Sequence, residues 1–357
     1  MQSYRWDGFS RFGFGRGEYM RYIIVFPRSH KHLGLFCDLE GVPEVELITA
    51  EQKTVHSPVL KAIKKIHLSS AINKRIRLPF RRIWYNHIPF DMDDGSDYCI
   101  IILDGALSAI DPAQLNDLSH KKKLRKVLVL INAMDASSTS MMEVKEKMSM
   151  VKWNQIYSFD PGDVKKYGFK PLGCCYYSKR DSAAILANYP DVRQSDVYFT
   201  GGIKGDREDL IISVFEKLDA AGVNADFHLL VTGERRLKRN RHEDKIDYFS
   251  GGWIPYEKLL AGILRSKVVI EVLQQGQTGP SLRYYEAVCY NKKLLTNNPS
   301  IVDLPYYDSR YMHCFSSAED IDIDWILEQS KAEYRYRGDF SPVQMLERVL
   351  EDKEAHI

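Results

Sequence analysis

The stretch GQTGPSLRYYEAVCYNKKLLTNN, residues 276–298, holds two glycines, a proline, an arginine and one glutamate ahead of a short strand-like KKLLT. It contains neither a catalytic triad nor a metal-ligand spacing. Two readings are open: helix-to-strand wiring, or the wall of a ligand site. Upstream, KVVIEV (267–272) reads as a strand carrying Glu271, and QQGQTG as the loop that follows it. The helix is predicted to start at Pro280, because proline suits a first helical position. Gly279 and Ser281 are expected to leave the first-turn amides uncovered, open to an anion or a ribose hydroxyl. Arg283 and Glu286 stand three apart on one face of that helix, where they form either a surface ion pair or part of a binding wall. One strand later, KKLLTNNPSI places Thr296, Asn297 and Asn298 at the same edge.

The same rhythm runs through the whole chain. YIIVF (22–26), EVELIT (44–49), YCIIILDG (98–105), KVLVLINA (126–133) and QIYSF (155–159) read as strands, and DPAQLNDL offers an Asp cap with proline at the first helical position. After residue 180 a second series follows: VYFTGG, the helix REDLIISVFEKLDAAG, DFHLLVTG, IDYFSG, YEKLLAGILR, KVVIEV, PSLRYYEAVCY and KLLTN. Alternating strands and helices build parallel sheets, so two consecutive α/β halves with a ligand cleft between them are expected. The crossing falls in SFDPGDVKKYGFKPLGCCYYSK. Asp160 there reads as the start of an Asp-Pro-Gly turn. The predicted division is 1–170, 171–330 and a helical tail at 331–357.

Composition bounds the function. A 357-residue chain with 44% hydrophobic and 27% charged residues is that of a folded globular protein of two domains. A net charge of only +2 excludes a strongly basic nucleic-acid binder by composition. No apolar run nears the ~20 residues of a membrane span, and the N-terminal segment lacks the apolar core of a signal peptide. The six cysteines form no CxxC and no regular framework, which predicts reduced thiols, Cys174 and Cys175 included, in a cytoplasmic protein.

At the strand ends, GGIKGDR (201–207) follows VYFT. Gly201 and Gly202 would allow close backbone approach, and Lys204 and Arg207 lead into a helix. Free amides, a helix dipole and two cations make a diphosphate seat, with a solvated basic loop as the alternative. The segment matches neither a Walker loop nor GxGxxG. DMDDGSD (91–97) gathers carboxylates but reads as a solvated turn, so no metal site is expected.

The order strand, G-x-x-G-x-S, helix with R-x-x-E-A, then K-K-L-L-T-x-N resembles the donor-binding domain of GT-B glycosyltransferases. It is most similar to bacterial lipopolysaccharide and capsular polysaccharide biosynthesis proteins. The resemblance covers roughly residues 155–315, including YSFDPGDVKKYG and DLPYYDS. It implies two Rossmann-like domains facing a cleft, and transfer of a sugar from a nucleotide diphosphate sugar to a saccharide or lipid-linked acceptor. It implies that Glu286 holds the ribose hydroxyls, and that Lys204 and Arg207 neutralise the leaving diphosphate without a metal or other cofactor. Gly201, Gly202, Gly279, Ser281, Arg283, Thr296 and Asn297 would complete the donor site. Where the family's EX7E motif has its first glutamate this chain has Thr278, a departure at the position on which that motif's retaining mechanism rests, so both inverting and retaining outcomes stay open. A degenerate, non-catalytic nucleotide-sugar-binding or scaffold protein, and an enzyme transferring another group from a nucleotide-activated donor, are the competing readings.

For the acceptor side, His30 and His32 in PRSHKHLG, Asp104 and Asp135 are candidates for a general base, with His30 favoured because its loop follows the first strand. KKKLRK (121–126), RRLKRNRH (235–242) and KRIRLPFRRIWY (74–85) are candidate contacts with an anionic membrane on the inner face of the plasma membrane. No nucleic-acid-binding module accompanies them.

Overall fold

The computed structural model describes residues 20–28, 34–69, 72, 75–76, 78–92, 95–118, 123–135, 139–203, 207–231, 242–250 and 254–354. His30, His32 and Lys204 lie outside the described residues, as does nearly all of RRLKRNRH. Twelve strands form two six-stranded sheets. The first sheet holds β1 (Met20–Pro27), β2 (Val45–Ala50), β3 (Asp97–Leu103), β4 (Leu124–Leu130), β5 (Gln155–Ser158) and β6 (Lys170–Pro171), in the order β2-β1-β3-β4-β5-β6. The second holds β7 (Ser195–Ile203), β8 (Ala225–Val231), β9 (Ile246–Ser250), β10 (Ser266–Glu271), β11 (Lys293–Thr296) and β12 (Met312–Cys314), in the order β12-β11-β10-β7-β8-β9. Neighbouring strands pair in parallel. That is why their apolar runs are continuous: helices cover both faces, so Ile100–Leu103 and Val127–Leu130 are buried at every position rather than at alternate ones.

Eleven helices connect the described strands: α1 (Pro58–His67), α2 (Asp104–Leu107), α3 (Pro112–Asp117), α4 (Thr139–Met150), α5 (Pro161–Tyr167), α6 (Ser182–Asn188), α7 (Arg207–Ala220), α8 (Tyr256–Arg265), α9 (Leu282–Cys289), α10 (Ile323–Leu327) and α11 (Pro342–Glu354). Asp111, Asp160 and Asp181 cap α3, α5 and α6 by accepting from first-turn amides; in α3 a proline follows the cap, as the sequence pattern predicts, and in α5 the same Asp-Pro pair starts a helix where an Asp-Pro-Gly turn was expected. The second sheet packs Val197, Phe199, Val268 and Ile270 against Ile211, Phe215 and Leu218 of α7. Among the described residues no helix is long and apolar enough to cross a membrane.

The strand expected over VYFTGG is β7, which runs through Gly201 and Gly202 to Ile203, paired with Leu229, Leu230 and Val231. One further expectation changes. Helix α9 starts at Leu282 with Ser281 as its cap, leaving Pro280 in the preceding loop.

The compact units are not consecutive stretches. One contains residues 1–28, 40–129 and 143–156; the other contains 29–39, 130–142 and 157–357. Residues 331–354 belong to this second unit, where Phe340, Met345, Leu346 and Val349 are buried and Phe340 packs on the rings of Tyr284 and Tyr285. All six cysteines are free thiols.

Candidate functional site

In the second sheet β8 and β9 are added on one side of β7 and β10, β11 and β12 on the other, so the strand order reverses between the parallel central strands β7 and β10. Ligands of such sheets bind beyond the carboxyl ends of the strands at that reversal. A cleft of about 310 Å³ opens there, lined by Arg207, Leu210, residues 272–278 and residues 297–300.

Arg207 is the first residue of α7, directly after the segment that follows β7. Burial lowers its guanidinium below the ordinary arginine range, against the pull of the Glu271 carboxylate. Its Nε has no hydrogen-bond partner among the described residues. An added Cβ on Gly201 would stand 3.1 Å from the Phe199 ring and 3.4 Å from an Arg207 terminal nitrogen. Gly201 therefore makes room for the side chain rather than forming a phosphate-binding turn; Gly202 is an ordinary strand residue.

Asn298 is the second unsatisfied group. It is fully buried, and its Oδ1 accepts from the Ser300 amide at 3.0 Å as the cap of the short 3₁₀ turn Pro299–Asp303. Its Nδ2 has no hydrogen-bond partner among the described residues. Asn297 serves the loop instead: its Oδ1 accepts from the Leu273 amide at 2.7 Å. Thr296 donates to Glu271 Oε2 at 2.6 Å and accepts from the Asn298 amide at 3.0 Å.

Glu271 ends β10 without reaching solvent. Its Oε1 accepts from the Ser281 amide at 2.6 Å, and burial raises its carboxyl while the bonds from Thr296 and Ser281 pull it back. The start of α9, expected to be bare, is thus closed by the protein's own carboxylates. Gly279 N donates to Asp160 Oδ2 at 2.8 Å and Arg283 N to the Ser281 hydroxyl at 3.2 Å. Gly279 and Ser281 present no free amide to a ligand.

Asp160 does more than turn the chain. While capping α5 it accepts from Thr278 N at 2.7 Å and Thr278 Oγ1 at 2.5 Å, and Thr278 Oγ1 accepts from Gly162 N at 2.9 Å. Gly276 (φ +83°) passes so near the Asp135 carbonyl that a Cβ would stand 2.6 Å from it, and a Cβ on Gly279 would meet the Phe159 ring at 2.8 Å. The glycines press the loop onto its neighbours, and the loop's other face lines the cleft.

Glu286 lies elsewhere. Its carboxylate is fully buried, accepting from the Tyr256 hydroxyl at 2.6 Å and facing Arg283 at 2.6 Å in an ion pair without hydrogen-bond alignment. Burial pushes it up to about 7, against Arg283 and the Tyr256 bond. Neither Arg283 nor Glu286 lines the cleft, so the ribose contact that the resemblance assigns to Glu286 has no exposed oxygen to make it. Of the base candidates, Asp135 accepts from Lys166 at 2.6 Å and Tyr167 at 2.7 Å, and Asp104 is buried, bonded to the Gly105 amide.

A larger cavity, about 380 Å³, lies in the other unit beside Arg82, Tyr85, His87 and Gln114. Its cation is neutralised by Asp117 at 2.6 Å and Asp111 at 3.3 Å, so it lacks the unpaired donors of the cleft at β7 and β10.

No protein-family model matches the chain, and no curated protein matches it. Among solved structures, AviGT4, a glycosyltransferase involved in avilamycin A biosynthesis, aligns with a TM-score of 0.50 at 11% identity, over 93% of this chain and 96% of its own. A glycosyltransferase from Rickettsia africae ESF-5 aligns over 94% and 97% of the two chains (TM-score 0.48, 11% identity). The glycotransferase of kitacinnamycin aligns over 94% and 99% (TM-score 0.46, 12% identity). With its two parallel six-stranded sheets, the chain has the α/β fold of GT-B glycosyltransferases.

Proposed function

We propose that the cleft at the ends of β7 and β10 binds the diphosphate of a nucleotide-activated sugar, and that the protein transfers the sugar to a saccharide or lipid-linked acceptor in cell-surface polysaccharide synthesis. One observation carries the reading. Arg207 and Asn298 line the same cleft at the strand reversal, and each carries a buried donor, Nε and Nδ2, that has no hydrogen-bond partner among the described residues. A buried donor left unmade costs about 1–3 kcal/mol, more for a charged group. Such groups fit a ligand rich in acceptor oxygens and negative charge.

Breaking a glycosidic bond to a nucleoside diphosphate leaves two negative charges on the departing group. Fixed cations and amides aimed at that position stabilise the charge as it develops. Arg207 supplies a cation and Asn298 a neutral donor; Lys204, three residues before Arg207 in sequence, is assigned the same task. In this reading no metal ion is required. The Thr278–Asp160 bonds fix the loop that forms the cleft's wall, and Glu286 with Arg283 holds the helix beneath. Fold likeness sets the frame, but the assignment rests on the site.

The test is a panel of UDP-, GDP-, CDP- and TDP-sugars incubated with the protein, with mass detection of released nucleotide and glycosylated product. Turnover of one donor supports the proposal. Binding of a donor without hydrolysis or transfer identifies a nucleotide-sugar-binding protein instead.

A further inference from the structure

In the unit that holds β1 to β4, the amphipathic helix α1 buries none of its residues. It touches the protein near its C-terminal end: Lys64 Nζ donates to the Lys53 carbonyl at 3.0 Å, and the His67 ring meets buried Trp84 edge-on at 5.7 Å. Its apolar residues are left exposed. Val59 is 67% exposed and Ile66 52%, with Leu60 and Ile63 between them. These positions fall on one helical face by their spacing. Ile76 (66%) and Phe80 (76%) extend the same chemistry. Of the exposed large hydrophobic residues among those described, more than half lie between Val59 and Ile83. Apolar surface gathered this way marks an interaction site, whereas scattered exposed residues do not.

Charge identifies the occupant. Between Gln52 and Phe90 there are nine Lys and Arg and no Asp or Glu, in a chain whose net charge is only +2. The remainder of the chain is therefore net acidic. Lys61, Lys65 and Arg75 are exposed and make no ion pair among the described residues, while Arg82 is held by Asp111 and Asp117. A second copy of this surface would meet like charge, and a nucleic acid would have no use for a row of aliphatic side chains. An anionic bilayer satisfies both features: acyl chains take Val59, Leu60, Ile63 and Ile66, while the lysines reach the lipid phosphates.

We infer that α1, with Ile76 and Phe80, is a docking surface for an anionic lipid membrane. It belongs to the other compact unit and shares no residue with the donor cleft, so its test does not depend on the glycosyltransferase reading. Purified protein is floated with phosphatidylcholine vesicles and with vesicles containing about 30% phosphatidylglycerol. Two variants accompany it, Leu60→Ser/Ile63→Ser/Ile66→Ser and Lys61→Glu/Lys65→Glu. Thermal melting checks that both fold, which exposed positions permit. The expected result is binding to the anionic vesicles alone, weakened about tenfold or more by either variant. Three outcomes overturn the inference. They are no binding to anionic vesicles, full binding by the apolar-to-serine variant, and a wild-type dimer in sedimentation that this variant makes monomeric.

Discussion

Replacing Arg207 with methionine separates function from folding at the donor cleft. Arg207 is half-buried, its Nε is fully buried and unpaired among the described residues, and burial already lowers its affinity for the proton. Methionine keeps much of the packing volume over Gly201 and removes an expensive charge. The Coulombic pull of Glu271 is lost, yet Glu271 keeps its bonds from Ser281 and Thr296. The two effects oppose, and the net change in stability is expected within about 1 kcal/mol, roughly 2–4 °C in Tm for a domain of this size. Binding should respond far more strongly. A charge-assisted hydrogen bond to a phosphate is worth about 1.5–3 kcal/mol, or roughly 10- to 150-fold in Kd. Titration calorimetry with the nucleoside diphosphate of the preferred donor measures the second quantity, and thermal melting the first. In turnover, kcat should fall by more than KM rises, because the leaving group's charge is largest in the transition state. A variant that melts more than about 5 °C lower and binds nucleotide normally would make Arg207 a structural residue and refute the reasoning.

Other outcomes follow from the same geometry. Asn298→Asp keeps the cap on Ser300 but turns the unpaired donor into an anion, so diphosphate affinity should drop at least about tenfold; an unchanged Kd by calorimetry removes Asn298 from the site. Thr278→Val loses a hydroxyl bonded to the Asp160 carboxylate and should cost about 1.5–3 kcal/mol in urea unfolding, whereas no loss would show the loop held by backbone bonds alone. Glu286 gives a pH effect: its carboxyl rises from 4.5 unfolded to about 7 folded. The stability it contributes is therefore full below about pH 4.5 and lost as pH rises through 7, on the order of 3 kcal/mol. Glu286→Gln stays neutral, so its Tm relative to wild type should climb between pH 5 and pH 8; a constant difference counters the assignment. Activity should survive EDTA, and loss restored by Mg²⁺ or Mn²⁺ would establish a metal-dependent reaction.

The strands were legible because parallel strands covered on both faces must be apolar at every position, as IIIL at 100–103 and LVL at 128–130 are. The Asp111 cap was legible because a proline suited to a first helical position follows it, whereas Asp160, read as an Asp-Pro-Gly turn, caps a helix in the same way. Glycine misled in two places. Gly201 looks like a turn, but the rings and guanidinium crossing β7 are what exclude a Cβ. Gly279 looks like an open anion seat, but Asp160, far away in sequence, already holds its amide. Glu286 misled for the same reason: nothing local announces that Tyr256, from another helix, seals its carboxylate. Arg207 was legible as a cation entering a helix. Its missing partner and that of Asn298 are properties of packing, and sequence spacing carries no trace of them.

The central claim is that the cleft recognises a diphosphate. Calorimetric titration of the wild-type protein in EDTA with UDP, GDP, CDP and TDP, each beside its monophosphate, tests it most directly. The account predicts that at least one diphosphate binds about tenfold or more tightly than its monophosphate, with the advantage erased by Arg207→Met. Equal affinity for the two nucleotides, or a diphosphate advantage that survives in the variant, would contradict it.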